Sequence, residues 1–254
     1  EGGEAGGGGG EGGGEGGGAG RKSEGSEGER ERGEGEEKKR GGKEDGGGAQ
    51  GVGLGLVGVG GPVDLWVGGI GVAPEGEDVD TESPGAHGGN MDTRHIRAGS
   101  TLYLPVAAEG ALFALGDVHA RMGDGEICIC GLECPAEVTV RLSVVHGKRE
   151  KWPMLKDERG RWYAIASAAD LDEAAKLSAD AMMDFIEKRV AIDHNELILL
   201  MSLVCHLEIS QVVDPLLTAP TSLDPVAFPG LDFSDWLSFF QGRADISPSR
   251  LLWR

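Results

Sequence analysis
The chain has 254 residues and a formal net charge of −19, from 24 Lys and Arg against 43 Asp and Glu. That balance argues against nucleic acid as a partner, because phosphate recognition draws on clustered basic residues. No apolar run reaches the roughly 20 residues a spanning helix needs, so a membrane partner is not expected either. Residues 1–50 hold half of the 46 glycines together with many glutamates and no aromatic residue. Such a segment cannot bury enough apolar surface to offset its ordering entropy and reads as a disordered, low-complexity tail.

The foldable part begins near residue 51. Residues 51–75 are glycine-rich and apolar, but Pro62 and Gly68-Gly69 stand where a dinucleotide fingerprint would continue into a helix, so no nucleotide cofactor is expected. Residues 75–90 are acidic and carry Pro84, Gly85, Gly88 and Gly89, which is loop chemistry. From Ser100 the pattern turns to strands. Thr101–Val106, Ala111–His119, Ile127–Leu132 and Glu137–Val145 each read as one, the last with Val138, Val140, Leu142 and Val144 alternating against Thr139, Arg141 and Ser143. Trp162–Ala166 is a further short strand.

At Asp170 the period changes. Asp170 caps a helix with Asp172 and Glu173 in its first turn and an inner stripe that includes Leu171, Ala174, Met182, Phe185 and Ile186. Asp193 and Glu196 resemble a capping box for a second helix to about Leu207, apolar nearly all round and so expected to be deeply buried. Ile209–Val213 reads as a closing strand. The expected fold is mainly β, an antiparallel sandwich- or barrel-like body over 51–168, with a small α+β unit over 169–217 and a divergent tail over 218–254. In that tail Phe233, Trp236, Phe239 and Phe240 suit either a short amphipathic helix or an unstructured end. Cys128, Cys130, Cys134 and Cys205 lack the spacing of a zinc ribbon and read as buried free thiols of a reducing cytosol.

The chemistry gathers at Gly116-Asp117-Val118-His119, followed after a glycine turn by Asp124-Gly125-Glu126. On a strand Asp117 and His119 share a face about 7 Å apart. With a turn at Gly123-Asp124, His119 would pair with Cys128 and Glu126 would fall diagonally beside it. An imidazole with two carboxylates suits a divalent metal such as zinc, and a spare carboxylate can move protons. A plain turn with a structural Asp117–His119 hydrogen bond is the alternative. Upstream, Gly88-Gly89-Asn90-Met91-Asp92 is either a connecting loop or a place where backbone approaches a ligand. A nucleophilic Cys130 or Cys134 has no basic neighbour in sequence to activate it.

Taken together, Gly88–Asp92, Leu102-Tyr103-Leu104-Pro105-Val106, Gly116–His119 with Gly123–Glu126, and Ile209-Ser210-Gln211-Val212-Val213-Asp214-Pro215 resemble the acetamidase/formamidase family, in continuous order from about Val63 to Leu217. The likeness covers the family's C-terminal half; family members carry a β region where this chain has its glycine-glutamate tail. The resemblance implies hydrolysis of small linear amides to a carboxylate and ammonia, a mostly-β fold, a cytoplasmic location and homo-oligomers. It implies Asp117, His119, Glu126 and Glu133 as metal positions, with zinc as the expected ion. It implies His119, Glu126 and Asp124 as catalytic positions, and Asn90 and Asp92 as groups that position the amide. An inactive relative serving as a binding or assembly module is the competing function.

Overall fold
The computed structural model describes residues 52–54, 59–76, 78–147, 149–224, 226 and 249–252. Expectations placed on residues 1–50 and on the aromatic residues from Phe233 to Phe240 lie outside them. Along the chain run β1 (Val52–Leu54), β2 (Val59–Gly61), β3 (Trp66–Gly71), β4 (Gly88–Asn90), β5 (Thr101–Tyr103), β6 (Ala114–Arg121), β7 (Leu132–Glu133), β8 (Glu137–Val140), β9 (Met154–Lys156) and β10 (Trp162–Ala168). Two helices follow, α1 (Leu171–Glu187) and α2 (His194–Val204), then β11 (Cys205–Leu207), β12 (Leu217–Leu223) and β13 (Ser249–Leu252). Among the described residues the fold is mainly antiparallel β with two helices.

Two sheets matter for the site. One runs β4-β3-β6-β7 and the other β11-β12-β10-β9-β5, all pairings antiparallel. Strand β10 is buried along its whole length, so its alternating side chains serve two cores. Trp162 and Ala164 face α1, where Met182, Phe185 and Ile186 meet them with Leu197 and Leu223. Tyr163 and Ile165 face the other way and pack on Val67 and Ile70 of β3 and on Met91 and Ile96. The layers are therefore α1, the five-stranded sheet, and the four-stranded sheet. Each fully buried Phe, Leu or Ile contributes roughly 1.5–3 kcal/mol relative to exposure.

Local signals at both helix starts act as read: the Asp170 side chain accepts from Glu173 N, and Asp193 accepts from Asn195 N and Glu196 N. Other expectations change. Ile127–Leu132 is not a strand; the chain turns through Glu126 (φ 45°) and Ile129 (φ 72°), and only Leu132–Glu133 pairs with β6. Cys128 and Cys130 are consequently exposed, and Cys134 and Cys205 partly so, all four as free thiols. Helix α2 buries Leu197 alone, while Leu199 and Leu203 are 69% and 80% exposed. The apolar pattern of α2 overstates its burial because the sheet beneath is already covered by α1. Ile209–Val213 is not a strand either; β11 ends before it at Leu207, and the sheet's second strand, β12, runs from the expected boundary at 217 into the tail. Pro220 masks β12 in the sequence, since proline argues against an inner strand. Its carbonyl accepts from Glu208 N at 2.9 Å, so its missing N–H falls on the side where β11 has already ended.

Candidate active site
Strands β3 and β6 carry the centre of the site. Their register sets Trp66 opposite His119 and Val67 opposite Val118, then resumes at Gly69 opposite Gly116. Asp117 between them has φ 57°, a left-handed conformation that aspartate tolerates better than most side chains. Its carboxylate lies over Gly68: a Cβ at Gly68 would stand 2.3 Å from Asp117 Oδ2 and 2.4 Å from Asp92 Oδ1. Glycine is thus required where the two carboxylates converge. His119 is 1% exposed, with the Trp66 ring edge-on at 4.5 Å between centroids and Gly131 packed close on its other side.

Loops bring the remaining acids. Asp92 (φ 46°, 1% exposed) follows β4, where its N–H donates to the Gly68 carbonyl. Glu126 (φ 45°) is buried in the turn after β6. Asp214 arrives from the segment between β11 and β12 and accepts from Asn90 Nδ2 at 3.0 Å. Of the six non-glycine residues with positive φ among the described residues, Asp92, Asp117 and Glu126 are three. Strain of this kind persists where surrounding structure over-determines it, and it concentrates at functional sites.

The electrostatics are those of crowded carboxylates around one imidazole. His119 Nε2 faces Glu133 Oε1 at 2.5 Å and Asp117 Oδ1 at 3.2 Å. Burial opposes a charge on His119, but the hydrogen bond and charge of Asp117, with Glu133, outweigh it and raise its pKa. Burial likewise works against ionised Asp117, yet His119 holds its carboxyl below the usual range. Burial, then the charges of Glu126, Asp117 and Asp214, push Asp92 up to about 9. Glu126, Glu133 and Asp214 are also raised, burial being the largest cause in each.

Within this cluster two buried atoms, Asp92 Oδ1 and His119 Nδ1, make no hydrogen bond. They stand 3.7 Å apart, too far for a hydrogen bond and suited to two donors sharing a cation at about 2.0–2.2 Å from each. Asp92, Asp117 and His119 offer donor atoms that all lie within 4.8 Å of one another, a nitrogen and oxygen set compatible with a divalent ion. The donor chemistry fits. This grouping takes in Asp92, expected as a substrate contact, in place of Glu126 and Glu133. Glu133 pairs across from His119, the position expected for Cys128, and is 56% exposed. Asp124 stands apart on the rim, 63% exposed and bonded to Arg94. Asn90, Asp92, Asp117, His119 and Glu126 do converge. Asp214 is the acid that sequence reasoning missed. It sits in the quoted motif Ile209–Pro215, but a strand reading of that motif assigns it no role, and its partner Asn90 lies 124 residues away.

Comparison with known proteins bears on these residues. Over 109 residues the chain is 30% identical to a formamidase from Methylophilus methylotrophus, covering 39% of this chain and 27% of that protein. Over 73 residues it is 36% identical to an acetamidase from Mycolicibacterium smegmatis, covering 28% of this chain and 18% of that one. The crystal structure of an acetamidase from Bacillus halodurans superposes with a TM-score of 0.64 at 39% identity, over 70% of this chain and 60% of that one. The chain thus spans under a third of these curated relatives in the aligned parts. The family model described as the acetamidase/formamidase family matches residues 71–231, which takes in Asn90, Asp92, Asp117, His119, Glu126 and Asp214. With most of its described residues and all but the Gly68 cradle of its acid cluster inside that match, the chain belongs to the acetamidase/formamidase family.

Proposed function
We propose that the site hydrolyses small linear amides such as formamide and acetamide: water adds to the carbonyl carbon, the C–N bond breaks, and a carboxylate and ammonia leave. The observation that carries this reading is the convergence of Asp92, Asp117 and His119 beside the glycine-asparagine strand β4, with Asp92 Oδ1 and His119 Nδ1 left without partners. These three residues would hold a divalent cation, zinc by donor type, which would act as a Lewis acid on the amide carbonyl. Glu126 is buried beside them with a raised pKa, the property of a carboxylate that takes a proton from water and returns it to the leaving nitrogen. Asn90 spends its Nδ2 on Asp214, which fixes its side-chain oxygen as an acceptor toward an amide N–H. Met91, fully buried just after β4, helps keep bulk water from the cluster.

Two coarser features complete the proposal. Homo-oligomers are supported by Leu199 and Leu203, one helical turn apart on α2 and exposed by 69% and 80%, since exposed apolar surface favours association. A cytoplasmic location is supported by four free cysteines. Among the described residues no helix is long and apolar enough to cross a membrane. The test is ammonia release from a panel of short amides with metal analysis on the same sample. Turnover that tracks metal content and falls in His119→Ala and Glu126→Ala supports the reading. Unchanged turnover in both variants overturns it, and a folded, metal-free protein without turnover favours the binding-module alternative.

A further inference from the structure
We infer that Gln211 is the positioning residue of this site, setting Asp214 and, through its own loop, the acids on either side. The inference rests on the amidase reading for its kinetic arm but not for its structural arm.

Gln211 is wholly buried and all its hydrogen-bonding capacity is used. Its Nε2 donates to the Leu216 carbonyl at 2.7 Å and to Thr218 Oγ1 at 3.1 Å. Its Oε1 accepts from Val213 N at 2.9 Å and Asp214 N at 3.0 Å. One side chain therefore satisfies backbone groups of Val213, Asp214 and Leu216 in the turn that leads into β12. The turn it closes presents Asp214 to Asn90 Nδ2.

The same loop reaches two other acids. Gly125 N donates to the Ser210 carbonyl and Val212 N donates to the Gly125 carbonyl, each at 3.0 Å, which pins the residue before strained Glu126. The Ser210 hydroxyl meets the Thr93 hydroxyl at 2.8 Å, beside Asp92. Thr218 in turn bonds Ser167 of β10 at 2.9 Å, so the loop is anchored to the most buried strand of the protein. Gln211 touches none of the reacting groups. It acts through Asp214, whose carboxylate would otherwise be free to swing away from Asn90.

The experiment compares wild type, Gln211→Ala, Gln211→Glu, Asp214→Asn and the Gln211→Ala/Asp214→Asn pair. The structural readout is solvent exchange of the Asn90 side-chain amide by NMR, with α1 amides as the folding control. Exchange at Asn90 rises at least tenfold in Gln211→Ala while the α1 amides hold. Gln211→Glu, which keeps both acceptor bonds to Val213 and Asp214, lies between. The kinetic readout is kcat and KM for formamide across pH: kcat falls about tenfold or more in Gln211→Ala with its pH profile displaced, and the double variant is no worse than the worse single one. A folded Gln211→Ala with unchanged Asn90 exchange and pH profile overturns the assignment, as does a double variant showing the product of the two single losses. If Gln211→Ala does not fold, Gln211→Glu decides on the same exchange criterion. If no ammonia is released by wild type, the amidase reading falls and the exchange readout alone decides this one.

Discussion
The two main sheets obey opposite rules. The five-stranded sheet is built around β10, buried along its whole length, with α1 on one face and apolar residues on the other. Buried hydroxyls on it meet one another, as in the Ser178–Thr221 contact at 2.8 Å and the Ser167–Thr218 contact at 2.9 Å. The four-stranded sheet gathers carboxylates beside a buried imidazole, holds Asp117 in a left-handed conformation inside a strand, and leaves two buried polar atoms without partners. A fold that violates packing logic at one place needs surplus stability elsewhere. The helix-backed layer is that reserve, and the site is where it is used.

The sharpest way to separate the two is a core truncation. Phe185→Ala removes a ring packed on Trp162 at 4.8 Å and should lower unfolding free energy by about 3–5 kcal/mol in urea titration, with turnover per folded molecule retained. The reverse signature belongs to His119→Ala: a turnover loss of at least ~100-fold, about 2.7 kcal/mol of barrier, with a smaller loss of urea midpoint than Phe185→Ala. Equal stability losses in both variants would dissolve the contrast.

Smaller changes sharpen it. Glu150 joins Lys188 at 2.7 Å and Arg189 at 3.0 Å at the end of α1. Burial acts to raise its carboxyl, but those two cations win and hold it below the usual range. Because the folded pKa is lowered, the stabilisation is complete above the unfolded glutamate value and is lost as pH falls through the folded value. Glu150→Gln should therefore cost about 1.5–3 kcal/mol at pH 7, discounted toward the lower figure for partial solvent access, and close to nothing in strong acid, read by thermal unfolding against pH. The smallest effect is expected at the rim. Asp124→Asn breaks an exposed pair with Arg94, worth about 0–1 kcal/mol, and should leave turnover within about twofold. A large loss of kcat there would draw Asp124 back into the chemistry.

Sequence legibility follows the same division. Asp170 and Asp193 were readable as caps because capping is local, and Trp162–Ala166 as a strand because its residues alone argue for it. Asp117 and His119 were readable as partners, but their register was not. The alternation rule assumes extended φ throughout, and Asp117, Glu126 and Ile129 break it. That is why Glu133, not Cys128, stands opposite His119. Asp214 was hidden for another reason: its role depends on a turn closed by the Gln211 side chain, which no periodicity reports. Burial of α2 was misjudged because hydropathy reports what a helix could cover, not whether a surface remains for it.

The edge-on contact of Trp66 with His119 gives the site an optical handle. Trp66 is 3% exposed with its ring 4.5 Å from the imidazole, so its emission responds to proton or cation occupancy next door. Trp162, equally buried but stacked on Tyr103 and tilted against Phe185 in the other layer, supplies a reference remote from the imidazole. The change in intrinsic fluorescence between the protein and its Trp66→Phe or Trp162→Phe variant, in which the three other tryptophans cancel, can therefore report each layer in real time and without a label.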